Sequence, residues 1–225
     1  MYQLRHIILP FNSLRTFSST SVTCWKCSKQ LNIRLEGNSN IMQLYFCGCQ
    51  HNVVLSPTTN TDYFQLLGFS KSYEIDKRAL ARSYRMLQSY LHPDKFANKS
   101  KLEQLYSSEQ SSLVNKAYST LAKPYTRALY LLEQVGLTIS EKDTGTGSDP
   151  SFLMRIMELN EVLAEHPSRD TLVKMKEENE GNLSDCEKEL IVHFESGNYK
   201  MAKEVLGKMK YYHNLQDNME EQLMS

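Results

Sequence analysis

Leu80, Tyr84, Leu87 and Leu91 follow one another at spacings of four, three and four residues. That is one face of an α-helix. Arg78, Arg82 and Arg85 share the helical spacing and, at about 100° per residue, fall roughly opposite the apolar row. The pattern predicts a helix with one buried face and one cationic stripe, stopped at His92-Pro93-Asp94. Downstream, Leu102, Leu105, Tyr106, Leu113, Ala117 and Leu121 make a second helical pattern that can fold back on the first. The short loop around Phe96 to Lys99 then presents His92 and Asp94 at the tip of a helical hairpin. Cap signals bound the neighbours: Asp62 opens a short helix that ends at Gly68, Asp76 opens the arginine-bearing helix, and Pro124 starts a helix that stops at Gly136.

The last third is helical throughout. Asp149-Pro150 is a cap and first-turn pair, and Phe152, Ile156, Leu159 and Leu163 form the buried row behind it. A long pattern runs from about Arg169 to Glu195 through Leu172, Met175, Leu183, Cys186, Leu190 and Phe194, with Gly181-Asn182 as a candidate kink or break. Gly197-Asn198 turns the chain into a final helix with Val205, Met209, Tyr212 and Met219 on one face. Three helices with short connections predict an antiparallel bundle. On its first helix, Met154, Met157 and Glu161 point away from the buried row, with Leu153 and Glu158 at the edges. That outward face is either covered by another helix or, given its methionines, an adaptable protein-binding surface.

Composition narrows the class. The 225 residues carry 26 basic and 26 acidic side chains, a balance that points to neither nucleic acid nor a membrane surface. No apolar run approaches the roughly 20 residues that span a bilayer. There is no G-x-x-x-x-G-K-[ST] loop, so no nucleotide site is expected. Residues 1–35 contain no acid; Arg5 and Arg15 are set among Leu, Ile, Phe, Ser and Thr. That is the pattern of a mitochondrial presequence, with Arg15-Thr16-Phe17-Ser18 as the cleavage signal, and it places the mature chain in the mitochondrial matrix.

Cys24-Trp25-Lys26-Cys27 is followed after 19 residues by Cys47-Gly48-Cys49. Two close pairs of thiolates suit a tetrahedral structural zinc. The apolar segments Leu31 to Leu35 and Met42 to Phe46 read as hairpin strands about a Gly37-Asn38 turn. A module of about 35 residues cannot bury enough core to fold alone, and metal binding supplies the deficit. The second pair has one intervening residue where zinc ribbons normally have two. A redox pair and disulfides compete: the first lacks its βαβ context and the second suits a secreted chain. Cys186 reads as a small buried apolar residue.

With these elements in view, residues Asp62 to Val135 resemble the J-domain of DnaJ-type co-chaperones. The resemblance rests on Asp62-Tyr63-Phe64, the basic helix, His92-Pro93-Asp94 with Lys95-Phe96, and Asn115-Lys116-Ala117-Tyr118. It implies that His92, Pro93, Asp94, Arg78, Arg82 and Arg85 dock on a DnaK-type chaperone and stimulate its ATPase. The chemistry agrees. Pro93 stiffens the loop, Asp94 offers two oxygens to an arginine fork, and the stripe steers an acidic surface. Taken alone, the tripeptide is also what an ordinary helix stop looks like, so its context decides.

The resemblance then narrows to the HscB-type co-chaperones of iron–sulfur cluster biogenesis. It is carried by Phe152-Leu153-Met154, by Met157 to Glu161, by Pro124 with Arg127 to Leu132, and by the cysteine module. It implies that Leu153, Met154, Met157, Glu158, Glu161 and Tyr211 contact the scaffold protein IscU. Met157 stands where a leucine is usual and Tyr211 where a phenylalanine can stand; both keep apolar volume.

The expectation is a mainly α protein, a J-domain helical hairpin plus a C-terminal three-helix bundle, with a small N-terminal zinc-binding β module. Its boundaries are 1–17 presequence, 18–57 cysteine module, 58–139 J-domain, 140–149 linker and 150–225 bundle. It is expected to be a co-chaperone and no enzyme, holding one zinc through Cys24, Cys27, Cys47 and Cys49. Its expected partners are IscU and a mitochondrial DnaK-type chaperone, with homodimer formation open. The alternatives are a J-protein for general folding, and a zinc enzyme or thiol redox protein.

Overall fold

A computed structural model describes residues 20–33, 41–58, 62–138 and 149–224. The expected presequence, the Gly37-Asn38 turn and nearly all of the 140–149 linker lie outside these residues. The described chain divides into two compact units, one ending at Lys123 and the other beginning at Pro124.

In the first unit, two short strands, β1 (Thr20–Thr23) and β2 (Gln30–Ile33), pair antiparallel, with Thr23 opposite Gln30. The Cys24–Cys27 turn closes this hairpin: the Cys24 amide donates to the Lys29 carbonyl at 2.9 Å, and the Ser28 amide to the Cys24 carbonyl at 2.8 Å. Ser28 takes a left-handed backbone, φ 58°, to complete it. The expected strand pairing is therefore corrected. Leu31 to Ile33 are in a strand, but the partner lies upstream across the cysteine turn. Residues Ile41–Leu44 form a 3₁₀ turn instead of a strand, and Phe46 bridges Val54. The second cysteine pair sits inside a tight loop of its own, closed by the Cys47 amide on the Val53 carbonyl, so Phe46 meets Val54 across that loop instead of an upstream strand.

The helices that follow are capped as their sequences require. Asp62 accepts the Phe64 amide at the start of α1 (Tyr63–Leu67), and Gly68 ends it at φ 78°. Asp76 accepts the amides of Arg78 and Ala79 to open α2 (Lys77–Leu91). A Ser100–Glu103 capping box opens α3 (Lys101–Ala122). The hairpin of α2 and α3 buries Leu80, Leu87 and Leu91 from α2 and Val114, Ala117 and Leu121 from α3.

The first half of α3 departs from its apolar pattern. Leu105 is 50% exposed, whereas Ser107, Gln110 and Ser111 are buried. The reason is close approach and polar matching. The Ser107 hydroxyl donates to the Leu91 carbonyl at 2.7 Å and the Ser111 hydroxyl to Gln88 Oε1 at 2.8 Å. Further along, Tyr84 donates to Asn115 Oδ1 at 2.9 Å and stacks on Tyr118.

In the second unit, α4 (Pro124–Gln134) packs on α7 (Tyr199–Met224), beside α5 (Pro150–Ala164) and α6 (Arg169–Glu195). Thus α4, expected with the 58–139 domain, keeps company with the C-terminal helices. Phe152, Ile156, Leu163, Leu172, Leu215 and Met219 form one continuous core. The α6 helix runs unbroken through Gly181-Asn182. Buried Asn179 holds that region to α7, donating to the Tyr212 carbonyl and Gln216 Oε1, both at 3.0 Å. Gly197, at φ 70°, turns the chain into α7. Among the described residues, no helix is long and apolar enough to cross a membrane.

Candidate functional site

Three groups of side chains carry the candidate chemistry. The first is the hairpin tip. His92 ends α2, and Pro93–Phe96 form a 3₁₀ turn whose Phe96 is buried. The Asp94 amide donates to His92 Nδ1 at 3.4 Å, while the Asp94 carboxylate is almost wholly exposed. Arg78, Arg82 and Arg85 are all exposed along α2. So a carboxylate is presented on a stiff turn beside a run of cations. The Gln104 amide backs the turn from α3, donating to the carbonyls of Ala97 and Lys99, each at 3.0 Å.

The second group is the cysteine cluster. The sulfurs of Cys24, Cys27, Cys47 and Cys49 all lie within 4.8 Å of one another, and none is in a disulfide. Cys27 and Cys47 are 3.7 Å apart. A tetrahedral ion with four sulfurs at about 2.3 Å needs sulfur–sulfur separations near 3.8 Å. Both pairs reach the same point, so the single-residue spacing of Cys47-Gly48-Cys49 is no obstacle.

Backbone amides aim at the sulfurs. The His51 amide holds the Cys49 thiol down at about 7, against the effect of burial. Burial raises Cys24, but the amides of Cys27 and Lys26 together with the Cys47 and Cys27 thiols outweigh it and leave this thiol below its ordinary value. Burial pushes Cys47 up to about 12. Four sulfurs this close cannot all ionise side by side without a cation between them, and a divalent ion resolves the conflict. The donor set, the spacing and the amide donors all fit zinc. Cys186, by contrast, stands alone in α6, buried, with burial pushing its thiol up to about 11.

The third group lies on α5. Met154 and Met157 are 63% and 62% exposed, while Phe152 and Ile156 on the opposite face are buried. Leu153 and Tyr211 are half-buried at the edge of the bundle core, and the Tyr211 ring meets Phe152 edge-on at 5.8 Å between centroids. Glu158 and Glu161 are exposed. Arg155 lies 3.4 Å from Glu158 and 3.3 Å from Glu178. The result is an apolar strip with an acidic border.

Residues 148–220 match the family described as the HSCB C-terminal oligomerisation domain. The iron-sulfur cluster co-chaperone protein HscB of Mus musculus is 35% identical over 206 residues, covering 89% of this chain and 82% of that protein. This chain belongs to the HscB co-chaperone family. The Homo sapiens protein of the same name is 35% identical over 203 residues, covering 87% of this chain and 80% of its own length. The crystal structure of human co-chaperone protein HscB superposes with a TM-score of 0.77 at 33% identity, covering 88% of this chain and 96% of that one.

Within this HscB-family chain, three side chains support the candidate sites without any motif signal. Gln104 braces the tip. Gln110 is buried in α3 and donates to the Leu55 carbonyl at 3.1 Å. Trp25, inside the first cysteine pair, donates its indole N–H to the Val54 carbonyl at 2.8 Å. The partners of Gln110 and Trp25 come within reach only through the tertiary fold, whereas those of Gln104 lie in the turn just before α3.

Proposed function

We propose that this HscB-family chain binds the scaffold protein IscU and delivers it to a mitochondrial DnaK-type chaperone, whose ATPase it stimulates to promote cluster transfer. The observation that carries the reading is the exposed methionine pair of α5, apolar side chains facing solvent on a helix whose other face is fully packed. Leu153, Met154, Met157 and Tyr211 form the apolar centre of the IscU site, and Glu158 and Glu161 its polar edge. Met side chains adapt to a partner's surface, and the acids select a cationic border on it.

At the hairpin tip, Arg78, Arg82 and Arg85 draw in an acidic face of the chaperone. His92, Pro93 and Asp94 then engage it, Asp94 accepting from an arginine fork. One zinc, held by Cys24, Cys27, Cys47 and Cys49, supplies folding energy to the N-terminal module. Four cysteine ligands would leave such an ion no open position for water, so it would serve structure and not catalysis. The acid-free N-terminus directs the protein to the mitochondrial matrix.

A reading as a J-protein for general folding differs in its clients. Immobilised protein incubated with IscU and with a panel of unfolded polypeptides separates the two. Retention of IscU alone, with single-turnover ATP hydrolysis by the DnaK-type chaperone accelerated most when IscU is present, is the expected result. Equal retention of the unfolded panel would refute it.

A further inference from the structure

The cysteine module does not stand apart from the helices. Tyr45, Val54 and Leu55 are fully buried in the unit that also contains α1, α2 and α3. The Tyr45 hydroxyl donates to the Leu66 carbonyl at the end of α1. The Gln110 amide, buried in the middle of α3, donates to the Leu55 carbonyl. The Trp25 ring, carried between two metal ligands, packs edge-on against Tyr106 of α3 with centroids 6.5 Å apart. Ile41 closes on Gly68, where an added Cβ would meet its Cδ1 at 3.0 Å. The module thus lends α3 a hydrogen-bond acceptor at the Leu55 carbonyl and an aromatic neighbour in Trp25.

The loops that carry the four converging sulfurs would be closed by the metal that those ligands hold. Without it, Tyr45, Val54 and Leu55 lose their fixed positions, and Gln110 is left as a buried donor with its partner gone, which is costly. On α3, the residues on either side of Gln110 are those that hold α2: Ser107 at the Leu91 carbonyl and Ser111 at Gln88. Leu91 directly precedes His92.

From this we infer that the cysteine centre has a function beyond folding its own loops: metal loading sets the stability of the α2–α3 hairpin that presents His92-Pro93-Asp94, with Gln110 and the Trp25–Tyr106 contact carrying the coupling. The inference rests on the reading of Cys24, Cys27, Cys47 and Cys49 as metal ligands. Coupling of this kind is reciprocal: whatever metal does for α3, α3 does for metal affinity.

The test uses the full chain in two arms. In the first, zinc is titrated into metal-free protein against a competing chelator, and amide hydrogen exchange is followed along α3. One zinc bound, with protection of residues 107–117 falling about tenfold or more on its removal, is expected. In the second, Gln110→Ala is titrated in the same way, and zinc affinity is expected to fall about fivefold or more. Tyr106→Leu, which touches the module from α3 and tolerates a smaller apolar side chain, carries the arm if Gln110→Ala does not fold. Wild-type protein that takes up no stoichiometric zinc defeats the ligand assignment and this inference with it. Zinc that binds and leaves while α3 protection stays within about twofold, or α3 variants that keep wild-type zinc affinity, overturn the coupling alone.

Discussion

Replacing Met154 and Met157 together with Ala puts the α5 surface to a quantitative test. Both side chains are more than 60% exposed in the free protein, so a partner that covers them gains most of their apolar area. Full burial of a Met side chain is worth about 1.5–3 kcal/mol, and the exposed three-fifths of that is roughly 1–2 kcal/mol per residue. Ala retains only the first carbon of each. Truncating both therefore removes about 2–3 kcal/mol, or roughly 30- to 150-fold in affinity for IscU. The fold should hardly notice. Phe152, Ile156 and Leu163 keep their core, and Ala is the better helix former, so stability should stay within about 0.5 kcal/mol. Titration calorimetry with IscU and a thermal melt on the same preparation read both numbers. Chaperone stimulation by the J-like hairpin without IscU should persist, because the substituted residues lie on the other structural unit. Undiminished IscU affinity would refute the surface. A fall in melting temperature by many degrees would mean that these methionines belong to the core.

Four further outcomes are expected. His92→Gln should abolish stimulation of the chaperone's ATPase in single-turnover assays while leaving IscU affinity unchanged. Gln104→Ala removes both donors that brace the Ala97 and Lys99 carbonyls; it should raise the half-saturating concentration for stimulation about threefold or more at an unchanged maximum, for a net loss of roughly 0.5–1.5 kcal/mol. Asp149 is held down at about 2 by the Ser151 hydroxyl, by Lys208 and by the Phe152 amide. Its folded value lies below its unfolded one, so its contribution is present above about pH 4 and is lost as pH falls through about 2; the melting-temperature gap between wild type and Asp149→Ala should close over that window. Gly181→Ala should stabilise the C-terminal unit by about 0.5–1 kcal/mol in urea unfolding, because an added Cβ meets nothing within 4 Å in the middle of α6.

The local signals were legible because their physics is local. Asp62, Asp76 and Asp149 each accept an amide one turn ahead, and Gly68 supplies the left-handed residue that ends α1. The buried rows of α2 and α5 and the four-cysteine set follow from spacing in the same way. What could not be read depends on distant partners. The pairing of β2 with β1 follows from the turn that the first cysteine pair imposes, and that turn is shaped by convergence on a second pair that begins 20 residues further on. Gly181-Asn182 carries a break signal, but α6 stays whole because Asn179 and the core beside it are anchored on α7.

The first half of α3 shows why an apolar pattern alone misleads here. Leu105 and Tyr106 obey helical spacing, yet the face turned inward is Ser107, Gln110 and Ser111. A polar face is buried at a profit only if each group finds a partner, and each does: the Leu91 carbonyl, the Leu55 carbonyl and Gln88. Apolar side chains could slide along one another at modest cost; these bonds cannot, because a one-turn slip orphans all three. The small hydroxyls let α2 approach, and the hydrogen bonds fix its register. The same helix therefore sets where α2 ends and where the cysteine loops dock. One buried polar row thus holds Leu91, the residue before His92, and Leu55 of the cysteine module to the same helix.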